Sequence, residues 1–124
     1  MTDHRELLDL ALRAARTGAE NARTMRRSGV AVAGTKSSDI DVVTEADRST
    51  EVLLRDLLLG ARPDDAVLGE EGADHAGSSG VRWIVDPIDG TVNYLYGWDW
   101  YAVSVAAEVD GEVVAGVVVN AATG

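Results

Sequence analysis

Residues 83–97 read WIVDPIDGTVNYLYG. The apolar run at its beginning is typical of a buried strand, and it leads directly into Asp86 and Asp89. Pro87 fixes the backbone after the first aspartate, while Gly90 permits a positive φ or the close approach of a ligand. The pattern predicts a turn at the end of a strand. It fits a turn capped by aspartates as well as a site in which both carboxylates face one centre.

The same turn has the donors that a hard cation needs. Mg²⁺ prefers oxygen ligands, which the carboxylates of Asp86 and Asp89 and the carbonyl of Ile88 could provide. Gly90 and Thr91 follow with backbone N–H groups, and these would face an anion if a helix starts there. The stretch thus predicts a metal site beside a phosphate site, unless it is only a turn.

Two acids upstream are further candidates. Glu70 lies in LGEEG at the end of a short predicted strand, where it is either solvated or close to Asp86, depending on the fold. Asp47 is three residues after Thr44, in the S/T-x-x-D/E pattern of a helix capping box. Capping and chemistry are compatible at this position, because the carboxylate could also bond a hydroxyl across a site.

Composition excludes several classes of protein. The chain has 124 residues, 46% of them hydrophobic, which predicts one globular domain with a modest core. It has no cysteine, so disulfides, thiolate zinc sites and cysteine nucleophiles are excluded, and a cytoplasmic location is expected. The net charge of −10 disfavours nucleic acid and anionic membranes as partners. No apolar run is long enough to cross a bilayer, and no secretory signal is recognisable.

The first half of the chain is predicted to be mainly helical. Apolar residues recur with helical spacing from Glu6 to Met25. GVAVAG, residues 29–34, alternates like a short strand, and residues 40–43 are expected to be extended before a second helix begins at the Thr44 capping box. That helix should end near Gly60, because Pro63 lies just beyond it.

The second half is predicted to consist of strands. AVLGEEG is a short strand that runs into a turn, residues 72–80 form a surface loop, and Asp110–Gly111 separates two β-prone runs in a hairpin pattern. Two helices followed by a largely antiparallel sheet indicate a layered α/β or α+β architecture, and we expect the α+β class. The hairpin leaves an apolar edge to be covered, so we expect residues 1–124 to be the N-terminal portion of a larger single domain.

Together, these segments resemble the inositol monophosphatase family of magnesium-dependent, lithium-sensitive phosphatases. The resemblance rests on WIVDPIDGTVNY at residues 83–94, on LGEEG and on the earlier KSSDIDVVTEAD, three motifs in the family's order. It extends over nearly the whole chain. It implies the N-terminal part of a layered α-β-α-β-α sandwich of the sugar-phosphatase type.

The resemblance also implies a site with two or three Mg²⁺ ions, held by Glu70, Asp86, the Ile88 carbonyl and Asp89. Glu70 and Thr91 would position the attacking water, with Asp47 bonded to the Thr91 hydroxyl. The substrate phosphate would contact Glu70, Ile88, Asp89, Gly90 and Thr91. Attack would be direct, with no phosphoenzyme.

The expected substrate is a small phosphorylated polyol or sugar, above all inositol monophosphate. Fructose 1,6-bisphosphate, histidinol phosphate and adenosine bisphosphate are alternatives, because related enzymes share the signature. Family members carry a further metal-binding aspartate in a downstream tryptophan–aspartate motif. We therefore expect the 124 residues alone to bind Mg²⁺ weakly and to hydrolyse little substrate, or to act only as a cation-binding fragment. The resemblance implies a homodimer at full length.

Overall fold

The computed structural model describes residues 3–33, 39–69, 76–89 and 102–121, and within them the side chains except those of 26–33, 39–45, 47 and 87–89. Two helices come first, followed by four strands. These elements are α1 (His4–Ala33), α2 (Asp39–Ala61), β1 (Ala66–Gly69), β2 (Val81–Asp89), β3 (Ala102–Val109) and β4 (Glu112–Asn120). The predicted order of two helices followed by strands is confirmed.

Helix α1 begins at a side-chain cap, because Asp3 Oδ1 accepts a hydrogen bond of 2.9 Å from the backbone N–H of Arg5. Its buried face has the predicted helical spacing and comprises Leu7, Leu10, Ala11, Ala14, Ala15, Ala19 and Ala22. The strand or hairpin arm predicted for GVAVAG is wrong for residues 29–33, since the helix continues to Ala33, and Gly34 lies outside the described residues. Alanine is the strongest helix former, so an alternation of valine and alanine does not distinguish a strand from a helix.

Helix α2 begins earlier than the sequence suggested. Its first residue is Asp39, so residues 40–43 are helical and Thr44 lies inside the helix. The capping-box prediction is therefore wrong. Aspartates at 39 and 41 instead occupy the first turn, where the positive end of the helix dipole favours acidic residues. The predicted end near Gly60 is confirmed, since α2 ends at Ala61, two residues before Pro63.

The four strands form one sheet in the order β1-β2-β3-β4. The β1–β2 pair is parallel and the other two pairs are antiparallel, so the predicted largely antiparallel sheet is confirmed. One face packs against the helices and buries Val67, Val81, Trp83, Val85, Val103, Val105 and Ala107. The opposite face, called the outer face below, carries Leu68 and the ion pair between Arg82 and Glu108, with an N···O distance of 3.0 Å.

The turn between β3 and β4 is the predicted hairpin. Asp110 has φ 50° and Gly111 has φ 88°, the pair of positive values that defines a type I′ turn. This turn twists in the same sense as the two strands it joins, which is why Asp-Gly is a strong hairpin signal. The turn sets the pairing of Val109 with Glu112, and the register shifts further along, between Ala107 and Glu108.

A buried aspartate ties the other end of the sheet to α2. Asp65 is 1% exposed, and its carboxylate accepts hydrogen bonds from Trp83 Nε1 at 2.8 Å and Ser79 Oγ at 2.6 Å. It also forms an ion pair with Arg62 just after α2. These contacts join the end of α2 to the beginnings of β1 and β2, and so fix α2 against the sheet.

In the part of the chain that the structure describes, neither helix combines the length and the apolar character needed to cross a membrane.

Candidate active site

The parallel pairing of β1 and β2 brings two of the sequence motifs to the same edge of the sheet. Gly69 ends β1 and pairs with Val85 of β2. Asp86 therefore follows the last position of β2 that pairs with β1, just as Glu70 follows the last residue of β1. Glu70 itself lies outside the described residues. We call this end of the sheet the carboxyl edge, because both strands run towards it.

Strand β2 continues past β1 with an irregularity. Asp86 pairs with Ser104 of β3, and Asp89 pairs with Ala102. Three steps along β2 thus match two along β3, so Pro87 and Ile88 together stand opposite one residue of β3. This is a β-bulge, so residues 86–89 belong to the strand and not to the predicted turn, whose last two residues, Gly90 and Thr91, lie outside the described part. Proline is tolerated at a bulge because no ladder hydrogen bond is required of its nitrogen.

The bulge changes the relation between the two aspartates. In a regular strand, residues three apart lie on opposite faces, because successive residues alternate. Here the partners of Asp86 and Asp89 are two residues apart on β3, so both positions fall on the same face. That face is the outer one, because Val85, the neighbour of Asp86, is buried against the helices. The structure therefore brings these two predicted residues to one face of one strand end.

Helix α2 approaches the carboxyl edge from the other face. Glu51 is 0% exposed, and its carboxyl group occupies the space where a Cβ on Gly69 would lie. Asp47 precedes Glu51 by four residues, which places it on the same face of the helix and about 6 Å further along the axis. The backbone of Asp47 therefore lies beyond the end of β1, although its side chain is outside the described part.

The described part contains only a portion of the predicted site. It includes the side chain of Asp86, which is half-buried, and the backbones of Asp47, Ile88 and Asp89. Glu70, Gly90 and Thr91 fall outside the described residues, as do residues 91–101 with their aromatic run. Among the side chains that the structure describes, no group of three acidic or histidine residues could hold a metal ion.

The backbone positions of the described residues are nevertheless compatible with a divalent cation. Positions 86 and 89 share a face at a strand end, and the bulge between them leaves Ile88 without a Cα partner of its own in the β2–β3 ladder. A bulged residue is not held by regular ladder bonds, so the carbonyl of Ile88 is a candidate for a third oxygen donor. Two carboxylates and a carbonyl are ligands of the kind that Mg²⁺ prefers.

Comparison with known proteins identifies the family of the chain. The sequence profile of the inositol monophosphatase family matches residues 3–124, nearly the whole chain. The chain belongs to the inositol monophosphatase family. An inositol-1-monophosphatase from Mycobacterium leprae is 52% identical over 94 residues, which cover 72% of this chain and 32% of that protein. A histidinol-phosphatase from Chlorobaculum parvum is 46% identical over 76 residues, covering 61% of this chain and 29% of that protein.

The fold agrees with the family. The structure of Mycobacterium tuberculosis SuhB superimposes with a TM-score of 0.79 and 40% sequence identity, over 98% of this chain and 43% of the other. Helices α1 and α2 and the mostly antiparallel sheet are thus an arrangement found in this family. The chain spans about a third of the length of the two phosphatases that it matches.

Two buried acids were missed by sequence reasoning. Glu51 lies at a position where the spacing of Leu54 and Leu58 predicts the buried face of α2, and an acid at such a position is itself a signal. Asp65 follows Asp64 in a segment that looks like an ordinary turn. Nothing in the local sequence separates the exposed acid from the buried one, because the difference comes from contacts with Ser79 and Trp83.

A shallow groove elsewhere on the molecule contains none of the predicted site residues. It lies between the first turns of α1 and the end of α2 and is lined by Glu6, Asp9, Leu10, Arg13, Ala61 and Arg62. Because α2 ends where β1 begins, this groove is at the opposite end of β1 from the carboxyl edge. The candidate site of this inositol monophosphatase homologue is therefore the carboxyl edge.

Proposed function

We propose that this chain forms the metal- and phosphate-binding part of a Mg²⁺-dependent phosphatase that hydrolyses a phosphate monoester. The observation that carries the proposal is the bulge in β2, which puts positions 86 and 89 on one face just beyond the end of β1. Membership of the inositol monophosphatase family supports the same reaction class.

The metal ligands in this proposal are Glu70, Asp86, the carbonyl of Ile88 and Asp89. The parallel register supports the set, because Gly69 and Val85 are paired and Glu70 and Asp86 are the next residues of their strands. Bound Mg²⁺ supplies a more acidic water and stabilises negative charge on the leaving oxygen. Two or three ions are proposed, held by carboxylates that would repel one another without them.

The remaining residues orient the reactants. Glu70 and the hydroxyl of Thr91 hold the attacking water, and Asp47 accepts a hydrogen bond from that hydroxyl, which makes the Thr91 oxygen a better acceptor. The position of Asp47 on α2, one turn beyond Glu51, supports its reach towards the carboxyl edge. The backbone N–H groups of Gly90 and Thr91 bind the phosphate oxygens. Water attacks phosphorus in line, the P–O bond to the alcohol breaks, and no phosphoenzyme forms.

Inositol monophosphate is the proposed substrate, giving inositol and inorganic phosphate. The Mycobacterium leprae relative, an inositol-1-monophosphatase, supports this choice, and the Chlorobaculum parvum relative supports histidinol phosphate as the second candidate. Fructose 1,6-bisphosphate and adenosine bisphosphate are kept as further alternatives. We also propose that the full-length protein is a homodimer in the cytoplasm. It does not bind nucleic acid or membranes in this proposal, and the net charge of −10 supports the exclusion of these anionic partners.

Phosphate release from a panel of monoesters by the full-length gene product tests the proposal. We expect turnover that requires Mg²⁺, is fastest with inositol monophosphate, and falls by at least about 100-fold in Asp89→Asn. Asp56→Asn, which alters an exposed acid on α2, is the matched control and should keep wild-type activity. Metal binding without Mg²⁺-dependent hydrolysis of any monoester would instead identify a non-catalytic cation-binding module.

The 124 residues alone are a second test material. We expect this chain to bind Mg²⁺ weakly and to release little phosphate, because the downstream metal-binding aspartate of the family is not among its residues. Isothermal titration and a phosphate assay on the isolated chain measure both quantities. Turnover equal to that of the full-length gene product would contradict this expectation.

A further inference from the structure

Glu51 is a buried acid to which the proposed reaction gives no role. It lies in the middle of α2 and is 0% exposed, whereas glutamate is almost never fully buried unless it is paired. Burying a carboxylate is costly, so a protein keeps one where its polar contacts are needed. Leu54 and Leu58, at helical spacing from Glu51, are buried apolar residues, so an acid is unusual on this side of α2.

The contact made by Glu51 is specific. Its carboxyl group lies against Gly69, and a Cβ built on Gly69 would overlap Oε1 and Cδ and would approach Cγ to 3.0 Å. Any side chain larger than hydrogen at position 69 would therefore displace the carboxyl group. Gly69, the first glycine of the LGEEG motif, is thus explained by the presence of Glu51 and not by a left-handed backbone.

The location of this contact links two parts of the proposed site. Gly69 is the last residue of β1 and is bonded to Glu70, a proposed metal ligand. Asp47, proposed to act on Thr91, lies on the same face of α2 as Glu51. The Glu51 side chain therefore connects α2, which also carries Asp47, to the last residue of β1, which leads into Glu70.

We propose that Glu51 is a positioning residue that fixes the Gly69–Glu70 peptide against α2 and so sets the Glu70 carboxylate for metal binding. The inference rests on the proposed function, in which Glu70 is a metal ligand. It assigns no contact between Glu51 and substrate or metal. Removal of a residue that orients a metal ligand typically lowers metal affinity or activity by about 10- to 100-fold.

The test compares Glu51→Ala and Glu51→Gln with Leu58→Ala in the full-length gene product. Leu58 is also 0% exposed on α2, about 10 Å further along the helix, so its truncation matches the loss of core packing without touching Gly69. The measurement is the Mg²⁺ dissociation constant by isothermal titration, at a temperature where circular dichroism shows every variant folded. Phosphate release at saturating Mg²⁺ is recorded in parallel.

We expect Glu51→Ala to weaken Mg²⁺ binding by about 10-fold, while Glu51→Gln stays close to wild type because it keeps the shape and one acceptor oxygen. Leu58→Ala should lower the melting temperature and leave the dissociation constant unchanged. Wild-type Mg²⁺ affinity in Glu51→Ala, or an equal loss in Leu58→Ala, would overturn the proposal.

Gly69→Ala tests the same contact from the other side. Its added methyl group displaces the Glu51 carboxyl, so Mg²⁺ binding should again weaken by about 10-fold. This variant decides the question if Glu51→Ala does not fold, and wild-type affinity in Gly69→Ala would then count against the proposal. Failure of the proposed function is distinguishable, because the unsubstituted protein would then show no Mg²⁺-dependent phosphate release.

Discussion

At the scale of single residues, the most important acids differ in how they could be predicted. Asp86 and Asp89 stand out in the sequence because they follow an apolar strand and flank a proline. Asp65 does not stand out, since its role depends on Ser79 and Trp83, which are 14 and 18 positions away. Sequence patterns show local periodicity and motifs, whereas the buried hydrogen bonds and ion pair of Asp65 depend on tertiary contacts.

Asp65→Ala should destabilise the chain strongly. The substitution removes the acceptor for Trp83 Nε1 and Ser79 Oγ and leaves Arg62 without its ion-pair partner. Breaking a buried ion pair by removing one partner typically costs about 3–5 kcal/mol. Because Arg62 is partly solvated, we expect the free energy of unfolding to fall by about 3 kcal/mol. Urea unfolding followed by tryptophan fluorescence measures the change.

Asp64→Ala is the control for this prediction. The side chain of Asp64 is exposed, and its contribution to the Ser78 and Ser79 turn comes from the backbone carbonyl. We expect its free energy of unfolding to change by no more than about 0.5 kcal/mol, as for other surface substitutions. If Asp65→Ala lowered the free energy of unfolding no more than Asp64→Ala does, the buried contacts of Asp65 would not stabilise the fold.

At the scale of elements, strand pairs and helix faces were more predictable than boundaries. The hairpin around Asp110–Gly111 and the buried face of α1 follow directly from sequence periodicity. The beginning of α2 and the end of α1 did not, because valine-rich segments such as residues 40–43 have strand propensity that the surrounding helix overrides. The bulge at Pro87–Ile88 was also not predictable, since it requires knowing which residues of β3 lie opposite.

Gly111→Ala should weaken the β3–β4 hairpin. Gly111 has φ 88°, a conformation that alanine adopts only with strain, and we expect a loss of about 1 kcal/mol or more. Gly116→Ala in β4 is the matched control, because a Cβ there meets no atom within 4 Å. Thermal unfolding of both variants is the measurement. Equal melting temperatures for the two would contradict the type I′ turn.

A second pair of glycines tests the packing of the two helices. Gly60 is exposed in the last turn of α2, and a Cβ there meets nothing within 4 Å, so Gly60→Ala should stabilise by about 0.5–1 kcal/mol. In Gly18→Ala the new Cβ would lie 2.9 Å from Leu54 Cδ2, so Leu54 must move. The stabilisation expected from replacing a helical glycine with alanine should therefore be lost. Chemical denaturation that finds Gly18→Ala more stable than Gly60→Ala would contradict close contact of α1 and α2 at Gly18.

At the scale of the whole molecule, the sequence was sufficient for the fold class and the family, since three motifs occur in order along one chain. It was not sufficient for the relative placement of the site residues. The parallel register of Gly69 with Val85, the shared face of positions 86 and 89, and the contact of Glu51 with Gly69 are all properties of tertiary structure. These three features lie at one end of the sheet, and the proposed chemistry depends on them together.

The central claim is that Asp86 and Asp89 belong to one divalent-metal site. Electron paramagnetic resonance measures it most directly, with Mn²⁺ as a probe for Mg²⁺ and the full-length gene product titrated as wild type, Asp86→Asn, Asp89→Asn and the double variant. We predict that each single substitution weakens Mn²⁺ binding by at least about 10-fold, that the double variant loses less than the product of the two effects, and that Asp9→Asn on α1 changes nothing. Wild-type Mn²⁺ affinity in either single variant, or losses in the double variant that simply multiply, would contradict the claim.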